Sequence, residues 1–151
     1  MKWAVVAVGK VRDKSLRAVA DEYRGRLEHY GSLREVEIED GTDEALAPVF
    51  ARHAKDHAIV ALDSRGREFD SRGFATFIDK LNATGKGNTA FLLGGKAGLG
   101  PLALGLATHT VSLSKRIEGK ETAIGSAQSF EVVPLRLATL GAQDLSAVTA
   151  F

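Results

Sequence analysis

The segment Phe91-Leu92-Leu93-Gly94-Gly95-Lys96-Ala97-Gly98-Leu99-Gly100 contains the residues best suited to organise a ligand. An apolar run ends in closely spaced glycines, and a short helix is predicted just beyond. In open α/β sheets ligands bind outside the carboxyl ends of strands, where glycines let backbone amides approach and a helix N-terminus favours an anion. The segment is therefore a candidate cofactor loop. The same glycines also suit a bare strand-to-helix connection, and spacing does not choose between the two. Gly98-Leu99-Gly100-Pro101-Leu102-Ala103 has the form G-x-G-x-x-A, with Glu118 where a ribose-binding acid would fall. That dinucleotide fingerprint belongs in the first strand-to-helix turn, whereas this one follows the fourth strand, so a nucleotide-dependent oxidoreductase is disfavoured. A P-loop fails as well, because neither Gly95-Lys96 nor Gly119-Lys120 is followed directly by Ser or Thr.

Other polar clusters carry weaker signals. His53 and His57 are four residues apart, a spacing that can hold zinc on a helix, but Ala54 stands where a zinc peptidase needs Glu and no third ligand is in view. A solvated or half-buried helix face is the simpler account, and no metal site is assigned. Arg12, Lys14, Arg17, Arg24, Arg26 and Arg34 are interleaved with Asp21, Glu22 and Glu28. They suit either RNA phosphates or, as favoured here, a solvated face with helical ion pairs. Arg65, Arg67 and Arg72 crowd the loop after the third strand and leave the same two options open. No Glu, His or Ser forms an acid-base or nucleophilic constellation, so catalytic residues remain unknown.

The elements that must position these residues alternate. Trp3 to Val8 is a continuous apolar run closed by Gly9, the pattern of a strand buried on both faces. Leu16, Val19, Ala20, Tyr23, Leu27 and Tyr30 recur at helical steps, with Gly31 as a stop. A short strand is predicted over Val36 to Ile38. A helix follows with Leu46, Val49, Phe50 and His53 on one face, then a buried strand from Ala58 to Leu62 and a polar loop from Asp63 to Glu68. Asp70 or Ser71 caps a helix carrying Phe74, Phe77, Ile78 and Leu81. A fourth strand over Thr89 to Leu93, a short helix over Leu102 to Ala107 and a fifth strand over Thr110 to Leu113 complete the series. The reading is an α/β fold with a mainly parallel sheet and helices on both faces. Beyond Lys115 the apolar period fades, leaving a strand at Phe130 to Val133 and a helical turn at Leu135 to Leu140.

Composition sets the outer bounds. A chain of 151 residues is one domain in size, and 44% hydrophobic with 26% charged residues excludes disorder, collagen and a long coiled coil. The absence of cysteine excludes a disulfide scaffold, a thiol nucleophile and cysteine-ligated metal, and it suits a reducing cytosol. The net charge of +1 identifies no nucleic-acid binder, so any basic patch must be local. The run from Thr89 to Leu113 is broken by Lys96, His109 and several glycines, so no membrane span is expected and the protein should be soluble and cytoplasmic.

Five segments then resemble one family in order and spacing. They are Val5-Val6-Ala7-Val8-Gly9-Lys10, Glu22-Tyr23-Arg24-Gly25-Arg26-Leu27-Glu28-His29-Tyr30, Val60-Ala61-Leu62-Asp63-Ser64-Arg65-Gly66, Leu92 to Leu99, and Val111-Ser112-Leu113-Ser114-Lys115. Together they resemble the RlmH family, SPOUT-type methyltransferases acting on N3 of a pseudouridine in large-subunit (23S) ribosomal RNA. The resemblance covers about residues 1 to 115. It implies S-adenosyl-L-methionine as cofactor, a C-terminal trefoil knot, a homodimer whose subunits share the substrate site, and the ribosome as partner. It carries cofactor contact onto Leu62, Gly94, Gly95, Leu113, Ser114 and Lys115, with Leu62 covering the adenine. Ala97 departs from the acidic residue often seen in that loop.

The tail departs further. The family continues through a Pro-His pair, a long apolar helix with Tyr-Arg-Ala and a terminus with Pro-Tyr-His, whereas here Arg116 to Phe151 holds no tyrosine and no histidine. No C-terminal catalytic group is therefore transferred, and the domain is read as a single unit, 1 to 151, with a divergent tail from 115. A shifted reading frame would account for near-normal length with unrelated content, and an intact in-frame gene on resequencing would sink that account. The alternative to an active enzyme is a non-catalytic module of the same fold that binds cofactor or RNA or serves in assembly.

Overall fold

The computed structural model describes residues 1–84, 87–117 and 120–124, with side chains through residue 112. Its elements run β1 (Lys2–Val8), α1 (Lys14–Leu27), β2 (Ser32–Ile38), α2 (Asp43–His53), β3 (Ala58–Glu68), α3 (Ser71–Thr84), β4 (Asn88–Leu93), α4 (Pro101–Leu106), β5 (His109–Ile117) and β6 (Lys120–Ile124). The alternating pattern thus folds as expected, as five parallel strands in the order β2-β1-β4-β3-β5, with β6 antiparallel to β5 at the edge.

The two-residue period of each strand divides the core into two layers. Trp3, Val5 and Ala7 of β1, Val60 and Leu62 of β3, and Phe91 and Leu93 of β4 face α1 and α3, meeting Tyr23, Leu27, Phe74 and Leu81. Their neighbours Ala4, Val6, Val8, Ala61, Ala90 and Leu92 face α2 and α4, meeting Phe50, Leu99 and Ala103. Burial on both faces explains why the central strands read as unbroken apolar runs. Val6, Val60, Leu92 and Phe50 are fully buried, and each such side chain is worth about 1.5–3 kcal/mol relative to exposure.

Local chemistry sets the helix starts. Asp13 accepts the amides of Ser15 and Leu16, Thr42 accepts that of Ala45, and Asp70 accepts that of Gly73. Three differences from the sequence reading have physical causes. Helix α1 stops at Leu27, and Tyr30 lies beyond it, exposed. Strand β3 runs past Leu62 because Asp63 to Gly66 loop out as a bulge, so that Leu62 and Arg67 both face Val111. Strand β6, invisible to periodicity, forms by backbone pairing to β5, with Leu113 opposite Ile124 and Ile117 opposite Lys120. The elements predicted at Phe130 to Val133 and Leu135 to Leu140 lie outside the described residues, as does most of the segment on which the expected knot depends.

Candidate cofactor-binding site

Strand order, not sequence order, builds the site. β4 is flanked by β1 and β3, and the chain leaves β4 toward the α2/α4 layer while leaving β1 and β3 toward the α1/α3 layer. Divergent exits of this kind open a crevice at the carboxyl ends of the strands. Around it the sheet gathers three segments far apart in sequence. Leu62 is level with Leu93 on one side and Val111 on the other, so the Asp63–Gly66 bulge, the Gly94–Gly100 loop and the stretch from Leu113 onward leave one end of neighbouring strands. Five of the six residues assigned by resemblance fall on these segments, and Leu62 immediately precedes the bulge. Leu113, Ser114 and Lys115 are also paired in the β5–β6 ladder, opposite Ile124, Ala123 and Thr122. The side chain of Leu62, 2% exposed, packs in the α1/α3 layer.

The glycine loop is folded tightly on itself. The Gly98 amide donates to the Gly95 carbonyl at 3.0 Å, with Gly98 at φ +74°, a conformation glycine adopts without strain. A Cβ at Gly94 would lie 2.6 Å from both the Gly98 oxygen and the Leu99 nitrogen, so the return of the loop requires glycine there. The anion role expected of the following helix is not free. The Asp43 carboxylate already accepts the amides of Leu102 at 2.7 Å and Ala103 at 3.1 Å. The G-x-G-x-x-A match therefore marks a helix start satisfied from within the protein, which removes the structural basis of a dinucleotide site.

The neighbouring bulge is closed by charge. Asp63 is buried, and its carboxylate accepts the Arg65 guanidinium at 2.8 and 3.0 Å and the Arg65 amide at 2.9 Å. The side-chain hydrogen bonds from Arg65 hold the Asp63 carboxyl below its ordinary range despite the opposing effect of burial, and the Arg65 guanidinium is raised in turn. Gly66 fits against the β5 backbone, where a Cβ would meet the Val111 carbonyl carbon and nitrogen at 2.6 Å. Arg67 lies over the Phe69 ring at 4.6 Å. Next to this bulge Ser112, opposite Glu68, is 2% exposed, and its hydroxyl has no hydrogen-bond partner among the described residues.

The other candidates separate from the site. α2 ends at His53, and His57 lies past Asp56, whose φ is +64°, so the two histidines do not share a helix as the spacing predicts. Burial, then Arg52 and Arg34, lowers the His53 pKa, and no cluster of three potential metal ligands occurs among the described residues. Arg17 bridges Asp21 and Glu35 at 2.6 and 2.8 Å, and Arg24 pairs with Glu28. Arg34 donates to the His53 carbonyl. Arg17 and Arg24 thus form ion pairs as the favoured reading expects, Arg34 is held by a carbonyl, and Arg26 lies over the Tyr23 ring. Asp43 is the residue that sequence reasoning missed. The available signal was a helix opening with Gly-Pro and no capping side chain of its own, whose amides needed a partner from elsewhere.

The fold and site define an α/β domain with a tight glycine loop at the carboxyl end of β4, where the strand exits diverge, and a helix start at α4 already satisfied by Asp43. The chain matches the family model described as "Predicted SPOUT methyltransferase" over residues 1–117 and belongs to that family. It is therefore a methyltransferase, and the family implies a methyl donor. It is 40% identical over 114 residues to "Ribosomal RNA large subunit methyltransferase H" of Sorangium cellulosum, covering 76% of this chain and 79% of that protein. It is 31% identical over 129 residues to the protein of the same name from Clostridium botulinum strain Hall, covering 76% of this chain and 81% of the relative. The resemblance read from five short segments is borne out, and the family match ends close to where the tail departs.

Proposed function

We propose that the chain is an S-adenosyl-L-methionine-dependent methyltransferase acting on N3 of a pseudouridine in large-subunit ribosomal RNA. The observation that carries this reading is the adjacency of the β4, β3 and β5 carboxyl ends, with the glycine loop leaving one of them, in a chain of the SPOUT family. The residues suit this donor, which carries no phosphate. Asp43 closes the amide end of α4, Gly94 gives the loop its tight return, and the buried Ser112 hydroxyl has no hydrogen-bond partner among the described residues.

When bound, the donor supplies a methyl already activated on a sulfonium, and that methyl replaces the proton of N3. The protein's task is chiefly to align the reactants and to favour the deprotonated base. In this reading Leu62 and Gly95 form the floor of the pocket through their backbone, Gly94 admits the donor closely, and Leu113, Ser114 and Lys115 close the far side. The protein acts as a cytoplasmic homodimer whose second copy completes the RNA site. The absence of any helix long and apolar enough to cross a membrane among the described residues accords with that setting.

Calorimetry with S-adenosyl-L-methionine, followed by a transfer assay on pseudouridine-containing ribosomes, tests the proposal. Donor binding with methylation of large-subunit RNA is expected. Binding without turnover would favour a non-catalytic module, and absence of binding would overturn the donor assignment. Analytical ultracentrifugation showing only monomer would remove the shared site.

A further inference from the structure

The α4 end of the glycine loop is fastened by Asp43 at the start of α2, which lies far away in sequence. Gly100 precedes α4 and has no side chain with which to cap it. Pro101 has no amide to offer, so Leu102 and Ala103 present the first donors, and both go to the Asp43 carboxylate across 59 and 60 residues of chain. Carboxylate and glycine interlock, because a Cβ at Gly100 would lie 2.5 Å from Asp43 Oδ1 and 2.6 Å from Asp43 Cβ. Near the other end of the loop, a Cβ at Gly95 would lie 3.0 Å from Val8 Cγ1 and 3.6 Å from Asp40 Oδ1. Asp40 is itself oriented by the Gly41 amide at 2.9 Å, and Thr42 caps α2 immediately before Asp43. The turn from Asp40 to Asp43 thus holds the α4 end of the loop by two hydrogen bonds and lies beside Gly95 near the other end.

We infer that Asp43 is a positioning residue for the donor loop, setting the backbone shape of Gly94 to Gly100 from outside the pocket. The inference rests on the reading of that loop as part of the donor site. Without the carboxylate, two helix-start amides lose their partner and Gly100 loses the wall against which it is set. The loop then samples conformations that do not match the donor, and affinity falls by the fraction of time spent in them.

The test combines donor affinity by calorimetry with amide hydrogen exchange in wild type, Asp43→Ala, Asp43→Asn, Asp43→Gly, Gly100→Ala and the Asp43→Gly/Gly100→Ala pair. Asp43→Ala is expected to speed exchange at Leu102 and Ala103 and to weaken binding roughly tenfold. Asp43→Asn keeps an acceptor oxygen and recovers most of that loss. Gly100→Ala alone reproduces the defect by displacing the carboxylate, yet adds little in the Asp43→Gly background, where the carboxylate and the Cβ that bears it are both gone. Unchanged exchange in Asp43→Ala, wild-type affinity despite faster exchange, or additive losses in the pair would each overturn the inference. A wild type that binds no donor overturns the donor-site reading and this inference with it, while the exchange data still report whether the clamp exists.

Discussion

The loops after β3 and β4 leave neighbouring strands at the same end of the sheet, yet different forces hold them in shape. The β3 bulge is closed by an ion pair, with Asp63 buried and Arg65 reaching back across it from solvent. The β4 loop turns on its own backbone, through the Gly95–Gly98 hydrogen bond and the bare α-carbon of Gly94, with the Asp43 carboxylate holding its α4 end. The Asp63–Arg65 pair responds to pH, and its side chains change at modest cost. The Gly95–Gly98 turn closes through main-chain groups that do not titrate, and Gly94 leaves no room for an added carbon.

The largest effect is expected at Gly94. Alanine there would drive a methyl group into the Gly98 and Leu99 backbone, so Gly94→Ala should abolish donor binding and cost on the order of 3 kcal/mol, read from calorimetry and urea midpoints. Wild-type donor affinity in this variant would show that the loop is not rigid. Gly66→Ala comes next, because its Cβ would meet the β5 backbone at Val111 and pry β3 from β5. A loss of about 2 kcal/mol is expected, with faster amide exchange along β5.

A smaller effect follows from the charge-closed loop. Asp63→Asn should cost about 1 kcal/mol near neutral pH, a figure kept low because Arg65 is largely exposed. The folded-state pKa of Asp63 is lowered, so the pair's contribution is complete above the ordinary aspartate value of about 3.9 and is lost as pH falls through the lowered one. The stabilities of wild type and variant should converge on acidification, and curves that stay parallel would break the comparison. The smallest effect is expected at Lys96, exposed at the tip of the backbone-closed turn. Lys96→Ala should leave stability within about 0.5 kcal/mol and donor affinity unchanged.

Legibility in the sequence followed the range of the forces involved. Strands β1, β3 and β4 announce themselves because burial on both faces demands continuous apolar residues, and α1 and α3 because one buried face imposes a 3.6-residue period. Position along the chain also identified the glycine loop as the place to look. Less legible were β6, which rests on backbone pairing, and the return of β3 after its bulge, which rests on Gly66 meeting another strand. The two histidines, from which no metal site is read, do not share a helix, because their spacing assumes a continuous one and α2 ends at the first of the two.

The sequence by itself determined the α/β class, the order of the elements, the absence of thiol chemistry and the family, since each depends on residue identity over short distances. Only the tertiary structure decided that the carboxyl ends of β3, β4 and β5 meet and that Asp43 occupies the anion end of α4. Those are contacts across tens of residues, set by strand order, and strand order arises from packing two helical layers against one sheet rather than from any local pattern.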